Sequence, residues 1–417
     1  MDYQPKSHEK IRQLINSGVN IPNPMTLDIG EDVNIEQIAA KDVTIYPGCR
    51  IYGKKTVISS GCKLGYEAPV TINDCQLGKA VELKGGFFSK SVFLEKANMG
   101  MGAHVREGCI LEEEASGAHC VGLKQTILFP FVTLGSLINF CDCFMAGGTS
   151  RSNHSEVGSS YIHFNFTPDA DKTTPSLIGD VPRGVMLNQP PIFLGGQGGI
   201  VGPIRMGYGN VVAAGSILKE NCLRDNQLIF AVGPSRSIRI TRPSPYSAIS
   251  GIVENNIFYL ANLVALEAWY AHVRKSFLEA QQFGNLLYAG AMEQLSSAKK
   301  ERLKRLKAMA QKAAASSGKE QNEPSERGNR ELNDQMDYVT EVFSGQMPDT
   351  SRIKKLRENF LDDFEKATGK NRANYLEAVQ SLSAEISAKG VVWLNSLVED
   401  QCEKVTKAAP SLNLFDK

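Results

Sequence analysis

Aliphatic residues recur at every sixth position in the stretch from Phe193 to Leu218. The members of this ladder are Leu194, Ile200, Met206, Val212 and Leu218. A period of six fits neither the helical period of about 3.6 residues nor the strand period of about two. It is the period of a coil with three short sides, stacked turn on turn, and it therefore predicts a hexapeptide-repeat solenoid.

The same pattern extends over most of the chain between Leu27 and Cys222. Aliphatic residues followed by glycine recur as Ile29-Gly30, Leu64-Gly65, Leu77-Gly78, Met99-Gly100, Val121-Gly122, Leu134-Gly135, Val157-Gly158, Ile178-Gly179 and Leu194-Gly195. Each strand is expected to point one large side chain into a narrow prism, and glycine suits the tight corner that follows. A sandwich would space its strands by about 8–12 residues instead. We therefore predict a mainly β protein with a left-handed parallel β-helix and a helical C-terminal domain.

Three segments depart from the six-residue pattern. Residues 7–17 predict a short helix that Ser7 caps, with Ile11, Leu14 and Ile15 on one face, and that ends at Gly18. Polar stretches at 167–176 and 182–191 interrupt the six-residue period. Loops that leave a solenoid often carry function, although a tolerated surface insertion has the same pattern.

Beyond the ladder the sequence becomes helical. The expected domains are a helix and linker (1–24), the β-helix (25–225), an extended basic connector (226–245) and a helical domain (246–417) with a flexible linker near 316–330. Later helices are expected at 331–344, 351–367 and 371–408. The basic segment 299–312 predicts a solvated helix face, with a nucleic-acid patch as the weaker alternative.

Composition narrows the class of partner and the compartment. The net charge of +1 favours neither nucleic acid nor a membrane surface. No apolar run approaches the ~18 residues of a spanning helix, and MDYQPKSHEK lacks the apolar core of a signal peptide, so we expect a cytoplasmic protein. The nine cysteines are expected to be reduced. Cys141-Asp142-Cys143 lacks metal spacing, and in a strand both thiols would share one face; no metal is expected.

Four stretches within residues 10–240 resemble a known family. They are 14–21 (LINSGVNI), 157–166 (VGSSYIHFNF), 207–217 (GYGNVVAAGSI) and 234–236 (PSR). They resemble the left-handed β-helix acyltransferases, most closely the acetyltransferase half of the bifunctional N-acetylglucosamine-1-phosphate uridylyltransferase and glucosamine-1-phosphate acetyltransferase enzymes. The coils begin after about 25 residues without that family's Gly-rich nucleotide loop, so we expect no uridylyltransferase activity from this sequence.

The resemblance implies a set of site residues. The contacts to acetyl-CoA or another acyl-CoA would come from Asn165, Phe166, Ser159, Gly196, Ala213 and Arg236. The family's general-base histidine falls on Asp142, and its substrate-side tyrosine and asparagine fall on Met145 and Glu156. The resemblance further implies a homotrimer with each site between two chains, and a sugar phosphate or nucleotide sugar as substrate.

Acyl transfer needs a base for the nucleophile, a donor for the oxyanion and a groove for the thioester arm. Asp142 is a candidate base if burial raises its pKa, or it orients a histidine. His163 and His154 lie nearby in sequence, whereas His104 and His119 have weaker claims. Arg183, like Arg236, is a candidate partner for phosphate groups.

Two functional hypotheses follow from these residues. The first is an acyl-CoA-dependent acyltransferase related to UDP-N-acetylglucosamine synthesis, and the retained acyl-CoA-side residues favour it. The second is a catalytically inactive β-helix that binds a nucleotide sugar or CoA-like ligand, or that scaffolds a partner through the helical tail. The replacement of the family histidine by Asp142 favours this second hypothesis.

Overall fold

A computed structural model describes residues 7–163, 173–231, 249–316, 324–369 and 374–415. Within these ranges the first half of the chain winds into a three-sided parallel β-helix, and the second half is helical. The prediction of a β-helix followed by helices is confirmed. We number strands along the chain and call the three sides face 1, face 2 and face 3, in the order in which the chain visits them.

Each face is one parallel sheet, with ten strands on faces 1 and 3 and eight on face 2. Face 1 contains β1 (Asp28–Ile29), β3 (Arg50–Tyr52), β6 (Val70–Asn73), β9 (Gly86–Ser89), β12 (Ala103–Val105), β15 (Val121–Lys124), β18 (Ile138–Cys141), β23 (Tyr161–Ile162), β26 (Gly199–Ile200) and β29 (Ile217–Leu218). Face 2 contains β4 (Val57–Ile58), β7 (Gln76–Leu77), β10 (Ser91–Phe93), β13 (Cys109–Leu111), β16 (Ile127–Leu128), β19 (Cys143–Met145), β24 (Ser176–Ile178) and β27 (Arg205–Met206). Face 3 contains β2 (Thr44–Ile45), β5 (Lys63–Leu64), β8 (Glu82–Leu83), β11 (Asn98–Met99), β14 (Ser116–Gly117), β17 (Thr133–Leu134), β22 (Glu156–Val157), β25 (Phe193–Leu194), β28 (Val211–Val212) and β30 (Leu228–Ile229).

Within the described residues, two segments interrupt the coils. An antiparallel hairpin of β20 (Gly148–Ser150) and β21 (Asn153–His154) leaves the coil between faces 2 and 3. The short helix α2 (Val181–Gly184) lies in the predicted break at 182–191, and Asp180 caps it. Part of the other predicted break, residues 167–172, lies outside the described residues. The connector segment 232–248 also lies outside them.

The remaining helices are α1 (His8–Ser17), α3 (Ser250–Trp269), α4 (Lys275–Glu279), α5 (Gly284–Ser316), α6 (Pro324–Ser344), α7 (Ser351–Thr368), α8 (Tyr375–Gln380) and α9 (Ala384–Ala408). A π-helical segment, Tyr270–Arg274, joins α3 to α4. Short 3₁₀ turns lie at Pro24–Thr26, Ile35–Gln37 and Pro410–Leu412. No described helix is long and apolar enough to cross a membrane.

Several local predictions need correction. Ser7 does not cap α1, because its hydroxyl accepts a hydrogen bond from the Ile29 amide instead, and Ile15 is exposed. The single helix expected at 371–408 is two helices, α8 and α9, because Ser383 caps a new helix start. The linker expected near 316–330 is helical from Pro324 onward. Within the basic segment, Lys299 and Arg302 are buried rather than solvated.

Face 2 explains how the two halves of the chain join. On faces 1 and 3 most strands carry one outward polar and one inward aliphatic residue, as in Lys63-Leu64. On face 2 the outward residues are mostly apolar as well: Val57, Val92, Ile110, Ile127, Phe144 and Leu177 are all buried. Helices α3 and α5 cover this face. A sheet that is apolar on both sides requires such a cover, since otherwise its outer side would face water.

Candidate functional site

Asp142 and His163 occupy the same corner of the β-helix on neighbouring coils. Asp142 follows β18 and His163 follows β23, and these two strands pair on face 1. Both residues have left-handed backbone, with φ of 56° and 61°. The corner separates Cys141 on face 1 from Cys143 on face 2, so the expectation that both thiols share one strand face is wrong. Asp142 and His163 thus lie on neighbouring coils at the corner between faces 1 and 2, and each binds other partners.

The Asp142 carboxylate is bound by the chain's own helical half. Arg302 of α5 donates to Asp142 Oδ1 at 2.6 Å, and Thr174 Oγ1 donates to Oδ2 at 3.5 Å. The Asp142 side chain is 18% exposed and that of Arg302 only 3%. Burial raises the pKa of Asp142, and Arg302 opposes this rise. The carboxylate thus anchors α5 to the β-helix.

Both ring nitrogens of His163 have protein partners. Nδ1 lies 2.6 Å from the Cys141 carbonyl, and Nε2 lies 2.6 Å from Ser176 Oγ. Because Ser176 Oγ accepts from the Ile204 amide, its own proton is directed to Nε2, which assigns the Nδ1–H tautomer. Burial lowers the pKa of His163 to about 3, so the ring is neutral near pH 7. This arrangement leaves no ring nitrogen for a substrate.

The other predicted catalytic and substrate residues lie apart from this corner. His154 lies in the β20–β21 hairpin, where burial and then Arg151 lower its pKa. Glu156 is half-buried on face 3. Met145 points into the prism and is fully buried. Arg183 binds Asp180 and Asp225, each at 2.6 Å, and stacks over Tyr208.

The residues expected on the acyl-CoA side follow a different corner, between faces 3 and 1. Strands β14, β17, β22, β25 and β28 pair in register on face 3. The residues two positions beyond their inward side chains form a column that we call the outer column: His119, Ser136, Ser159, Gly196 and Ala214. Ala213 lies one position earlier, in an inner column with Gly158 and Gly195. Asn165, Phe166 and Arg236 lie outside the described residues.

The inner column must be small for a structural reason. A Cβ on Gly158 would lie 2.5 Å from the Gly196 amide nitrogen, and one on Gly195 would lie 2.5 Å from that of Ala214. Real side chains do not tolerate such distances, so glycine permits the coils to stack here. The outer column is not under this constraint. A Cβ on Gly196 meets its nearest atom at 3.4 Å, which leaves room for a larger residue.

The outer column contains a hydrogen-bonded pair, of which only His119 was a candidate from the sequence, with a weaker claim than His163 and His154. His119 Nδ1 lies 2.8 Å from Ser136 Oγ, and His119 is exposed. The sequence does contain a signal for this pair, because the same two-residue step follows the inward residue of each of these face 3 strands. The steps are Ala118-His119, Gly135-Ser136, Gly158-Ser159 and Gly195-Gly196. Aligning the coils by that position would have placed His119 in line with Ser159 and Gly196.

The two predicted residue sets thus lie at opposite edges of face 1. Asp142 and His163 lie at its corner with face 2, and the outer column lies at its corner with face 3. A ligand that contacts both sets would have to cross face 1 or lie between two chains. A separate cavity of about 710 Å³ lies between the last coils and α3, near Pro203, Asn221 and Phe415, and none of the predicted site residues that the structure describes lines it.

A three-sided parallel β-helix of six-residue repeats defines a hexapeptide-repeat solenoid protein. The chain is similar to bifunctional protein GlmU of Thermotoga maritima, with 30% identity over 212 residues, which is 51% of this chain and 42% of that protein. It is also similar to the GlmU proteins of Fervidobacterium nodosum, with 28% identity over 228 residues (55% of this chain and 44% of that protein), and Staphylococcus haemolyticus, with 26% identity over 220 residues (52% and 43%). The chain spans less than half the length of these relatives. No protein-family model matches it. These similarities, which cover about half of this chain, confirm the resemblance drawn from the sequence.

Proposed function

We propose that this chain is an acyltransferase-like β-helix protein with a role related to UDP-N-acetylglucosamine synthesis. In this proposal acetyl-CoA, or another acyl-CoA, donates its acyl group to a sugar phosphate or nucleotide sugar. The observation that carries the proposal is the similarity to GlmU proteins over about half of this chain, together with the β-helix that this half forms.

The outer column is the proposed place for the thioester arm. Ser159 and Gly196 stack on successive coils there, with Ala213 beside them in the inner column. Their small side chains leave the corner shallow, as a groove for an extended arm requires. We do not assign the base to Asp142 or His163, because Arg302 and Ser176 already bind their polar atoms. Asn165, Phe166 and Arg236 remain proposed acyl-CoA contacts on the resemblance alone.

The separation of the two residue sets across face 1 favours a site that two chains share. We therefore retain the homotrimer and the cytoplasmic location as parts of the proposal. A second function is favoured by a specific observation, the buried ion pair between Asp142 and Arg302. If the corner that matches the family's base position serves only to anchor α5, the chain is a binding or scaffold protein on the same fold.

One pair of measurements separates the two functions. Purified protein is mixed with acetyl-CoA and a panel of amino sugars, sugar phosphates and nucleotide sugars, and free thiol release is followed. Thermal stabilisation by CoA and by UDP-sugars is measured in parallel. We expect thiol release that depends on one class of acceptor. Stabilisation without any release above background would contradict the transferase and leave the binding protein.

The variant Gly196→Trp tests the location of the arm. Gly196 has room for a side chain, and an indole there would fill the corner beside Ser159, so we expect the Kd for CoA to rise at least about tenfold. Gly251→Trp is the control: nothing lies within 4 Å of a Cβ at this exposed position in α3, which lines the separate cavity and not the outer column. Equal CoA binding by both variants would exclude the outer column as the arm's site.

A further inference from the structure

The resemblance places the family's general-base histidine at the position where this chain has Asp142. Acyl transfer still needs a base. All six histidines of the chain lie in described residues. His163 has both nitrogens bonded, His154 lies in the hairpin, and His104 meets Phe87 edge to face with ring centroids 5.2 Å apart. His272 packs against Trp393 in the helical half, and His8 belongs to α1. His119 is the remaining histidine.

His119 has the geometry of an oriented imidazole. Its Nδ1 forms a hydrogen bond of 2.8 Å with Ser136 Oγ on the next coil. When Nδ1–H donates to this hydroxyl, Nε2 carries the lone pair and is directed away from Ser136. His119 is exposed, so Nε2 is accessible to a ligand at the corner. Ser136 thus holds the ring in place, and with Nδ1–H as the donor it acts as the orienting partner of a general base.

The position of the pair matches the proposed path of the thioester arm. His119 and Ser136 continue the outer column directly below Ser159 and Gly196, with one residue from each coil. Strands in a sheet lie about 4.8 Å apart, so His119 lies roughly 10 Å below Ser159. Met101 and Leu137, which are 44% and 58% exposed, flank the pair. Their apolar side chains would shield a thioester from water at the lower end of the column.

We propose that His119 is the general base of the acyl transfer and that Ser136 is its positioning residue; this inference rests on the proposed function. His119 Nε2 removes a proton from the acceptor amine or hydroxyl as its nitrogen or oxygen attacks the thioester carbonyl. The new C–N or C–O bond forms, the C–S bond breaks, and the imidazolium returns the proton to the departing thiolate. The products are the acylated acceptor and CoA with a free thiol.

Steady-state kinetics of the full chain test the assignment. His119→Gln is expected to lower kcat by about 10²–10⁴-fold with the KM for acetyl-CoA unchanged, since the base acts on the acceptor and not on CoA binding. Ser136→Ala is expected to shift the pH profile of kcat, and Ser136→Thr, which keeps the hydroxyl, to restore it. His104→Gln is the matched control, an exposed β-helix histidine on face 1, and should keep the wild-type kcat.

A second readout does not depend on turnover. Carbethoxylation of His119 is followed by mass spectrometry, and acetyl-CoA is expected to protect His119 but not His104. If His119→Gln turns over at the wild-type rate and acetyl-CoA does not protect His119 in the wild-type protein, this inference is overturned and the proposed function still stands. Protection of His119 in a wild-type protein that releases no thiol with any acceptor overturns the transfer reaction itself.

Discussion

At the scale of single residues, the ion pair between Asp142 and Arg302 indicates that Asp142 holds α5 against the β-helix rather than acting as a catalytic base. Each group is removed from water, and Arg302 reaches the carboxylate at 2.6 Å. Burial of two opposite charges stabilises a protein only when their geometry is good, but removal of one partner leaves the other charge buried without its counter-charge. The pair should therefore matter for stability whatever the chain's function is.

We predict that Asp142→Asn destabilises the protein by about 3 kcal/mol, because it breaks the buried ion pair that Asp142 forms with Arg302. The left-handed backbone of residue 142 suits asparagine as well as aspartate, so the corner itself should persist. The free energy of unfolding in urea is the measurement. The exposed pair of Glu403 and Lys407 in α9 is the control, and Glu403→Gln should leave the unfolding midpoint unchanged. Equal midpoints for both variants would contradict the anchoring role.

At the scale of elements, the π-helical segment Tyr270–Arg274 attaches the helical half to the corner between faces 2 and 3. Arg274 binds both oxygens of Glu113, at 2.9 and 3.0 Å, and stacks over Tyr375. Glu112 lies beside them and accepts from the Tyr270 hydroxyl at 2.6 Å. Two buried carboxylates thus face the one guanidinium of Arg274, whose hydrogen bonds at 2.9 and 3.0 Å both go to Glu113. Burial, with repulsion from Glu113, raises the pKa of Glu112 to about 7.

This raised pKa predicts a pH-dependent attachment. The folded protein holds a proton on Glu112 up to about pH 7, whereas the unfolded chain releases it near pH 4.5, so stability falls as pH rises between these values. Glu112→Gln keeps an oxygen for Tyr270 and cannot ionise. Urea unfolding at pH 5.5 and pH 8 should show a larger loss of stability on raising the pH for wild type than for the variant. Glu113→Gln, which deprives Arg274 of its partner, should instead destabilise the protein at both pH values.

The coils could be predicted from the sequence, but the way in which α5 covers them could not. The ladder from Leu194 to Leu218 fixes the three-sided coil, since only that fold has a period of six. The paired aliphatic residues of face 2, such as Ile110-Leu111 and Ile127-Leu128, were a readable signal that a second layer covers this face. No local pattern identifies α5 as that layer, because Arg302 and Asp142, which fix its position on the sheet, are 160 residues apart in the sequence.

The same limit applies to the candidate site. The resemblance located Ser159, Gly196 and Ala213, because local glycine-rich steps mark the corner between faces 3 and 1. It did not reveal that His163 would have both nitrogens bonded, since Ser176 approaches its ring only after the chain completes the coil. The case for His119 as a site residue likewise depends on how the coils stack. Its partner Ser136 is 17 residues away in the sequence but lies on the next coil of the outer column.

At the scale of the whole molecule, α5 acts as a brace along the corner between faces 1 and 2. Its contacts run from Glu293 with Lys55 through Gln294 with Gly108 and Arg302 with Asp142 to Met309 with Thr173. These four contacts lie on four different coils of the β-helix. An isolated solenoid can unfold coil by coil, because each repeat contacts only its neighbours. A brace that binds several coils at once should suppress such partial unfolding.

We therefore predict that the β-helix and the helical half unfold in a single transition. The chain permits a direct test, because both tryptophans, Trp269 and Trp393, lie in the helical half, whereas the buried thiols of Cys62, Cys75 and Cys109 lie in the coils. Tryptophan fluorescence and thiol labelling across a urea titration should give the same midpoint. The control is Arg302→Met, which removes the central contact of the brace and should separate the two midpoints, with the thiols labelled at lower urea. Separate midpoints in the wild-type protein would show that the helices cover the coils without coupling them.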